Sequence, residues 1–192
     1  MGREFELKFG ATPQQQAAIL EKYPGFHKIS METTYYDTAD RALAARYITL
    51  RQRKENNAPI CTVKFPLPDG SKGEWELEWE DATTMVEELC KLGAPEELQN
   101  LTADGIIPVC GARFLRQATH LEVPGGAVEL AVDKGVLLGG GKEIPLCEVE
   151  VELKSGDDAV AEQFAAALAA EYDLQPEPRS KFSRAKELAR EV

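Results

Sequence analysis

Hydrophobic and polar residues alternate along many short segments of this chain, a pattern typical of half-buried β-strands. In REFELKF, at positions 3–9, the charged residues Glu4, Glu6 and Lys8 share one face and three apolar residues share the other. The clearest alternation runs over positions 74–80, where glutamates alternate with tryptophan and leucine. Six more strands are predicted at positions 31–40, 45–55, 58–67, 112–123, 126–138 and 145–156.

Helical segments are predicted between these strands. Thr12 followed by Pro13 is typical of a helix N-cap and first turn, and Pro24 with Gly25 ends that helix. Further helices are predicted at positions 83–93, 95–101, 157–174 and 183–192. Without internal repeats or a long linker, the pattern predicts one α+β domain over residues 1–192, built on about eight mainly antiparallel strands.

The composition excludes several classes of partner. The chain has 192 residues and is 43% hydrophobic and 29% charged, as is usual for a soluble globular protein. Its net charge of -11 argues against a large nucleic-acid interface and against docking on an anionic membrane. We therefore expect no nucleic-acid or membrane partner. A monomer or weak homodimer is also expected.

The cysteines and the N-terminal segment indicate the compartment. The four cysteines are far apart and form no CxxC pair, so we interpret them as free thiols in a reducing cytosol. The charged first residues lack the apolar core of a signal peptide, and no apolar run reaches the ~18 residues of a membrane span. A cytoplasmic location is expected.

The charges on the predicted strands occur in blocks of one sign. A solvent-exposed face explains any single strand, but adjacent like charges destabilise a sheet, and a solvent face usually mixes the signs. Blocks of one sign are explained better if the strands enclose a common space. We therefore predict an eight-stranded, mainly antiparallel closed β-barrel with a charged interior and helices packed on its outside. The polar residues that share a strand face are Glu4, Glu6 and Lys8; Arg51 and Arg53; Thr62 and Lys64; Glu74, Glu76, Glu78 and Glu80; and Glu148, Glu150 and Glu152.

An ordered set of motifs along the whole chain resembles the CYTH-domain proteins, also called triphosphate tunnel metalloenzymes. The first is EFELK, which matches the ExExK signature that opens these domains. YYDT, LRQR, TVK, EWELE, ARFLRQ, VELAVDKG, CEVEVELKSGD and SKFSRA follow in order. Within the family, the chain is most similar to bacterial inorganic triphosphatases.

The resemblance implies a role for each charged block. Carboxylates would ligate Mg²⁺ or Mn²⁺, which prefer hard oxygen ligands, and basic side chains would contact triphosphate oxygens. Two glutamates, Glu76 and Glu78, would orient the basic side chains or help to hold a second metal. The implied metal ligands are Glu4, Glu6, Glu150 and Glu152. The implied triphosphate contacts are Lys8, Arg51, Arg53, Lys64, Arg116, Lys181 and Arg184. The implied catalytic residues are Glu6, Lys8, Glu150 and Glu152.

The resemblance also implies a reaction, the metal-dependent hydrolysis of inorganic triphosphate to diphosphate and phosphate. Three alternatives stay open at this point: a class IV adenylyl cyclase, a thiamine or nucleoside triphosphatase, and a non-catalytic module that binds polyphosphate. Clustered glutamates argue against the last, because pure anion binding gains nothing from them.

Overall fold

The strands of the protein form one continuous antiparallel sheet. The computed structural model describes residues 5–67 and 72–190. Within them the strands are β1 (Glu6–Gly10), β2 (His27–Asp37), β3 (Thr49–Glu55), β4 (Ala58–Pro66), β5 (Lys72–Glu78), β6 (Ile107–Val123), β7 (Gly126–Gly139), β8 (Lys142–Ser155) and β9 (Gln175–Pro176). Their order in the sheet is β5-β4-β3-β2-β6-β7-β8-β1-β9, and all neighbours are antiparallel. The predicted mixture of helices with a large antiparallel sheet is confirmed.

Helices cover the outer face of the sheet in two groups. The described helices are α1 (Pro13–Lys22), α2 (Ala42–Ala45), α3 (Met85–Lys91), α4 (Glu96–Leu101), α5 (Asp158–Tyr172) and α6 (Lys181–Arg190). α1 and α5 bury Ile19 and Leu168 against the apolar side of β7, β8 and β1. α2, α3 and α4 bury Leu43, Leu89 and Leu98 against β3, β4 and β5. Within the described residues, no helix is both long and apolar enough to cross a bilayer.

Among the described helices, only α6 packs on the inner face, the side of the sheet that carries Glu6, Arg51 and Arg116. Its buried Ala185 contacts Phe114 of β6 and Leu146 of β8 in a third apolar cluster. Elsewhere the inner face carries many charged side chains, with a few uncharged residues such as Thr33 and Tyr35 between them. The strand parity inferred from the sequence therefore separates an apolar outer face from a charged inner face.

Closure of the predicted barrel is not confirmed, because no hydrogen bonds join β5 to β9 among the described residues. The free edge of β1 pairs instead with the segment that leads into α6. Phe9 lies opposite Pro176, and the backbone N–H of Glu177 donates to the Lys8 carbonyl over 2.9 Å. This pairing occupies backbone groups at the edge of β1 with which β5 would have to bond to close a barrel. Pro176 also has no backbone N–H that could donate to a further strand.

The element boundaries confirm some predictions and correct others. Thr12 caps α1 in a capping box with Gln15, as its position before Pro13 predicts. Helix α2 was not predicted. Its backbone is held by the carboxylate of buried Asp37, which accepts hydrogen bonds from the N–H groups of Leu43 and Ala44, at 3.0 and 3.3 Å. β5 ends at Glu78, two residues earlier than the alternation over 74–80 predicts.

Candidate active site

A cavity of about 500 Å³ lies on the inner face of the sheet, with charged side chains along its walls. Residues from opposite ends of the sheet order line it, Glu74 of β5 and Lys8 of β1 among them, so the sheet curves around this space. Eight of the residues predicted from the sequence line it: Glu6, Lys8, Arg51, Arg53, Lys64, Arg116, Glu150 and Lys181.

One side of the cavity is acidic because the register of three strands aligns their carboxylates. Glu6 on β1 lies directly opposite Glu152 on β8, which lies directly opposite Glu129 on β7. Lys154 partly offsets this row, with its Nζ 2.8 Å from Glu152 and 3.9 Å from Glu129. Like charges in directly opposed positions destabilise a sheet, which favours a further cation at this row.

Next to this row, Asp133, Glu148 and Glu150 form a buried acidic cluster. One carboxylate oxygen from each lies within 4.8 Å of the other two, close enough to hold a metal ion. Three cations occupy the cluster in this structure. Arg116 binds both oxygens of Asp133, at 2.8 and 2.7 Å, and also contacts Glu150.

The other two cations of the cluster come from α6. Lys181 Nζ lies 2.9 Å from Asp133, 2.6 Å from Glu148 and 2.5 Å from Glu150. Arg184 contacts the second oxygen of Glu148. The cluster therefore anchors the first turn of α6 to β7 and β8 through buried ion pairs.

The pKa values of Glu150 and Lys181 follow from this pairing. Burial alone would raise the pKa of the Glu150 carboxyl, but the charges of Lys181 and Arg116 outweigh it and lower that pKa to about 2. Burial alone would lower the pKa of Lys181, but the carboxylates of Glu150 and Asp133 outweigh it and raise that pKa. Glu150 and Lys181 are therefore both charged near neutral pH.

The donor set on the acidic side fits Mg²⁺ or Mn²⁺. Both ions prefer carboxylate oxygens, and the inner face presents them from β1, β7 and β8. At the row of Glu6 and Glu152 an ion would meet Lys8, 3.3 Å from Glu6, and Lys154, 2.8 Å from Glu152. An ion in the buried cluster would have to displace Lys181 or Arg116, which together contact all three of its carboxylates, so the row fits better.

The opposite side of the cavity is basic. Arg51 and Arg53 lie on β3, and Lys64 lies on β4. Arg51 and Lys64 share the carboxylate of Glu74, at 3.8 and 3.4 Å. Burial, followed by the neighbouring Arg51 guanidinium, lowers the pKa of Arg53 despite its contact with Glu55 at 2.5 Å. A bound anion would therefore offset the repulsion between the positive charges on this side.

The remaining predicted residues lie beside the cavity or away from it. Glu152 shares the inner face with Glu6, and Arg184 lies behind Lys181 in the ion-pair cluster. Glu76 accepts a hydrogen bond from Thr62 at 2.8 Å and lies 3.6 Å from Arg53. Glu78 ends β5 in an exposed position. Glu4 lies outside the described residues.

Sequence reasoning missed several residues of the site. Neither Asp133 nor Glu148 was assigned to the site, although they alternate in step with Glu129 and Glu150 on their strands. Lys72 and Glu74 also line the cavity. The aromatic residues Tyr35, Phe114 and Phe182, which line it as well, gave no signal because aromatic side chains in strands and helices usually belong to the core.

Comparison with known proteins agrees with this architecture. The profile of the CYTH domain matches residues 2–185 of the chain. The inorganic triphosphatase of Haemophilus influenzae is 28% identical over 193 residues, which cover 96% of this chain and 54% of that protein. The chain thus spans about half the length of this curated relative.

Solved structures are similar in fold. HpAC1 from Hippeastrum, a candidate adenylyl cyclase with a dominant triphosphatase activity, has a TM-score of 0.68 at 18% identity, covering 97% of this chain and 96% of its own. The PH1819 protein of Pyrococcus horikoshii has a TM-score of 0.64 at 21% identity, covering 98% and 99%. At these identities the likeness establishes the fold alone.

Proposed function

The chain belongs to the CYTH domain family, and from that premise we propose that it hydrolyses inorganic triphosphate to diphosphate and phosphate, with Mg²⁺ or Mn²⁺ as cofactor. The observation that carries the proposal is the division of one cavity into a basic side, with Arg51, Arg53 and Lys64, and an acidic side that includes Glu6. The similarity to a protein named inorganic triphosphatase supports the choice of substrate.

The basic side would bind the substrate. A linear triphosphate carries about four to five negative charges near neutral pH. Arg51, Arg53 and Lys64 come from adjacent strands and face the cavity together, so they can contact oxygens on successive phosphates. Arginine offers paired N–H donors that match phosphate oxygens, and lysine adds a point charge.

The acidic side would hold the metal and receive the proton of the attacking water. Glu6, Glu150 and Glu152 are the proposed ligands, and a bound Mg²⁺ or Mn²⁺ would neutralise substrate charge and lower the pKa of water. The water oxygen bonds to the terminal phosphorus as the bridging P–O bond to diphosphate breaks, and a cavity carboxylate accepts the proton. The cations of the basic side stabilise the charge on the non-bridging oxygens.

A substrate panel tests the proposal. Purified protein is incubated with triphosphate, ATP, GTP or thiamine triphosphate, each with Mg²⁺, Mn²⁺ or a chelator, and the phosphate, diphosphate and nucleotide products are measured. We expect phosphate release from triphosphate only with added metal. Formation of cyclic AMP from ATP would instead identify a class IV adenylyl cyclase. Faster hydrolysis of an organic triphosphate than of inorganic triphosphate would identify a thiamine or nucleoside triphosphatase. Thermal stabilisation by triphosphate without turnover would identify a binding module.

A further inference from the structure

Tyr35 occupies the middle of the inner face, between the basic side of the cavity and α6. It lies directly opposite Arg51 across β2 and β3. Its side chain lines the cavity although only 4% of the residue is exposed. A tyrosine that is this buried normally has a polar partner for its hydroxyl group.

The ring of Tyr35 is fixed from the α6 side. It packs on the ring of Phe182 with centroids 4.9 Å apart and the planes tilted by 41°. Phe182 follows Lys181, which the ion pairs with Glu148 and Glu150 hold in place. The ring therefore has a defined position relative to the anchored first turn of α6.

Tyr35 and Arg51 are directly opposed on adjacent strands and both line the cavity, so the hydroxyl group of Tyr35 and the guanidinium group of Arg51 share one region of the inner face. Burial raises the pKa of this hydroxyl, while the nearby charges of Arg51 and Lys181 act in the opposite direction. The group is therefore neutral near pH 7. A neutral hydroxyl oxygen can accept a hydrogen bond from Arg51 without cancelling its positive charge.

Carboxylates hold the other buried cations of the site more closely. Arg116 lies 2.7 Å from Asp133, and Lys181 lies 2.6 Å from Glu148. The ion pair of Arg51 with Glu74 is longer, at 3.8 Å. Arg51 thus keeps more of its charge for a ligand, and its guanidinium needs another group to orient it.

We propose that Tyr35 is a positioning residue that orients the Arg51 guanidinium toward triphosphate, with its ring held by Phe182. The inference rests on the proposed function, because Arg51 must bind the substrate. It assigns to Tyr35 a role in affinity through Arg51 that is separate from its packing.

The test replaces Tyr35 with phenylalanine, which keeps the ring on Phe182 and removes only the hydroxyl group. The matched control is Tyr36→Phe, because Tyr36 is the next residue on the same strand and packs into the apolar cluster of the outer face. Affinity for inorganic triphosphate is measured by calorimetry in a chelating buffer, so that turnover does not interfere. Turnover of each variant is measured separately with Mg²⁺.

We expect Tyr35→Phe to weaken triphosphate binding about five- to tenfold and Tyr36→Phe to leave it unchanged within about twofold. In an Arg51→Lys background the added Tyr35→Phe change should cost less than about twofold, because the oriented guanidinium is already gone. The positioning role would be overturned if Tyr35→Phe and Tyr36→Phe bound triphosphate equally well. It would also be overturned if Tyr35→Phe caused the same loss of affinity in the Arg51→Lys background as in the unmodified protein.

The two proposals fail in different ways. If the unmodified protein binds triphosphate but releases no phosphate with metal, hydrolysis is wrong and the role of Tyr35 is still decided by the binding data. If it hydrolyses triphosphate and Tyr35→Phe binds normally, only the positioning role is wrong. If it binds no triphosphate at all, both are wrong.

Discussion

Glu6 on β1 lies directly opposite Glu152 on β8, so two carboxylates share adjacent positions on the inner face. Lys8, 3.3 Å from Glu6, and Lys154, 2.8 Å from Glu152, offset only part of the repulsion between these like charges. We predict that Glu6→Gln increases the free energy of unfolding in chelating buffer, by up to about 1 kcal/mol. The same change should lower metal-dependent phosphate release by more than about 100-fold, because a metal ligand is lost.

Urea unfolding and phosphate release measure these two effects. Glu162→Gln is the control, since Glu162 is exposed on α5, away from the cavity; it should change neither quantity. Full activity of Glu6→Gln would remove Glu6 from the metal site.

The basic side of the cavity should determine affinity for the substrate. We predict that Arg53→Ala raises KM for triphosphate about tenfold or more, the usual effect of losing a hydrogen bond to a charged group. Lys54→Ala is the matched control, because Lys54 is adjacent on β3 and exposed on the opposite face. Steady-state kinetics on both variants decide the matter, and equal KM values would show that the charge of Arg53 does not contact substrate.

Lys181 should contribute strongly to stability, since it is 11% exposed at its side chain and contacts Asp133, Glu148 and Glu150. Lys181→Met leaves buried carboxylates without a full set of cations and should cost about 3 kcal/mol of unfolding free energy. Adding Glu150→Gln removes one of these carboxylates, so the double variant should lose less than the sum of the two single losses. Additive losses in urea unfolding would show that the two residues do not interact.

Acid should lower the unfolding free energy partly by protonating Glu150, whose pKa falls from 4.5 to about 2 on folding. Between these values the unfolded chain binds more protons than the folded protein, so stability is full above pH 4.5 and falls as the pH drops toward 2. We predict that unfolding free energy measured from pH 6 to pH 3 declines less in Glu150→Gln than in the unmodified protein, by about 1–2 kcal/mol. Equal declines would contradict a lowered pKa for Glu150.

Strand periodicity predicted much of the site, because it determines which side chains share a face. Glu6 and Lys8 on β1, and Arg51 and Arg53 on β3, are two residues apart and so necessarily face the same side. Once helices cover the apolar face, these residues must lie on the other face. Their meeting in one cavity then follows from the curvature of the sheet.

Contacts between residues distant in sequence could not be predicted in this way. The edge of β1 is taken by residues 175–177, which have no strand pattern of their own, so the sequence did not show that no hydrogen bonds join β5 to β9 among the described residues. The pairing of Lys181 with Asp133 and Glu148 depends on how α6 docks on β7 and β8. Alternation along a strand carries no information about that docking.

The central claim is that one cavity holds a metal on its acidic side and triphosphate on its basic side. A crystal grown with Mn²⁺ and triphosphate, analysed by anomalous scattering from manganese, tests this most directly. We expect a manganese peak within coordination distance of the Glu6 and Glu152 carboxylates, and phosphate density against Arg51, Arg53 and Lys64. Manganese and triphosphate bound elsewhere, or a cavity that contains neither, would contradict it.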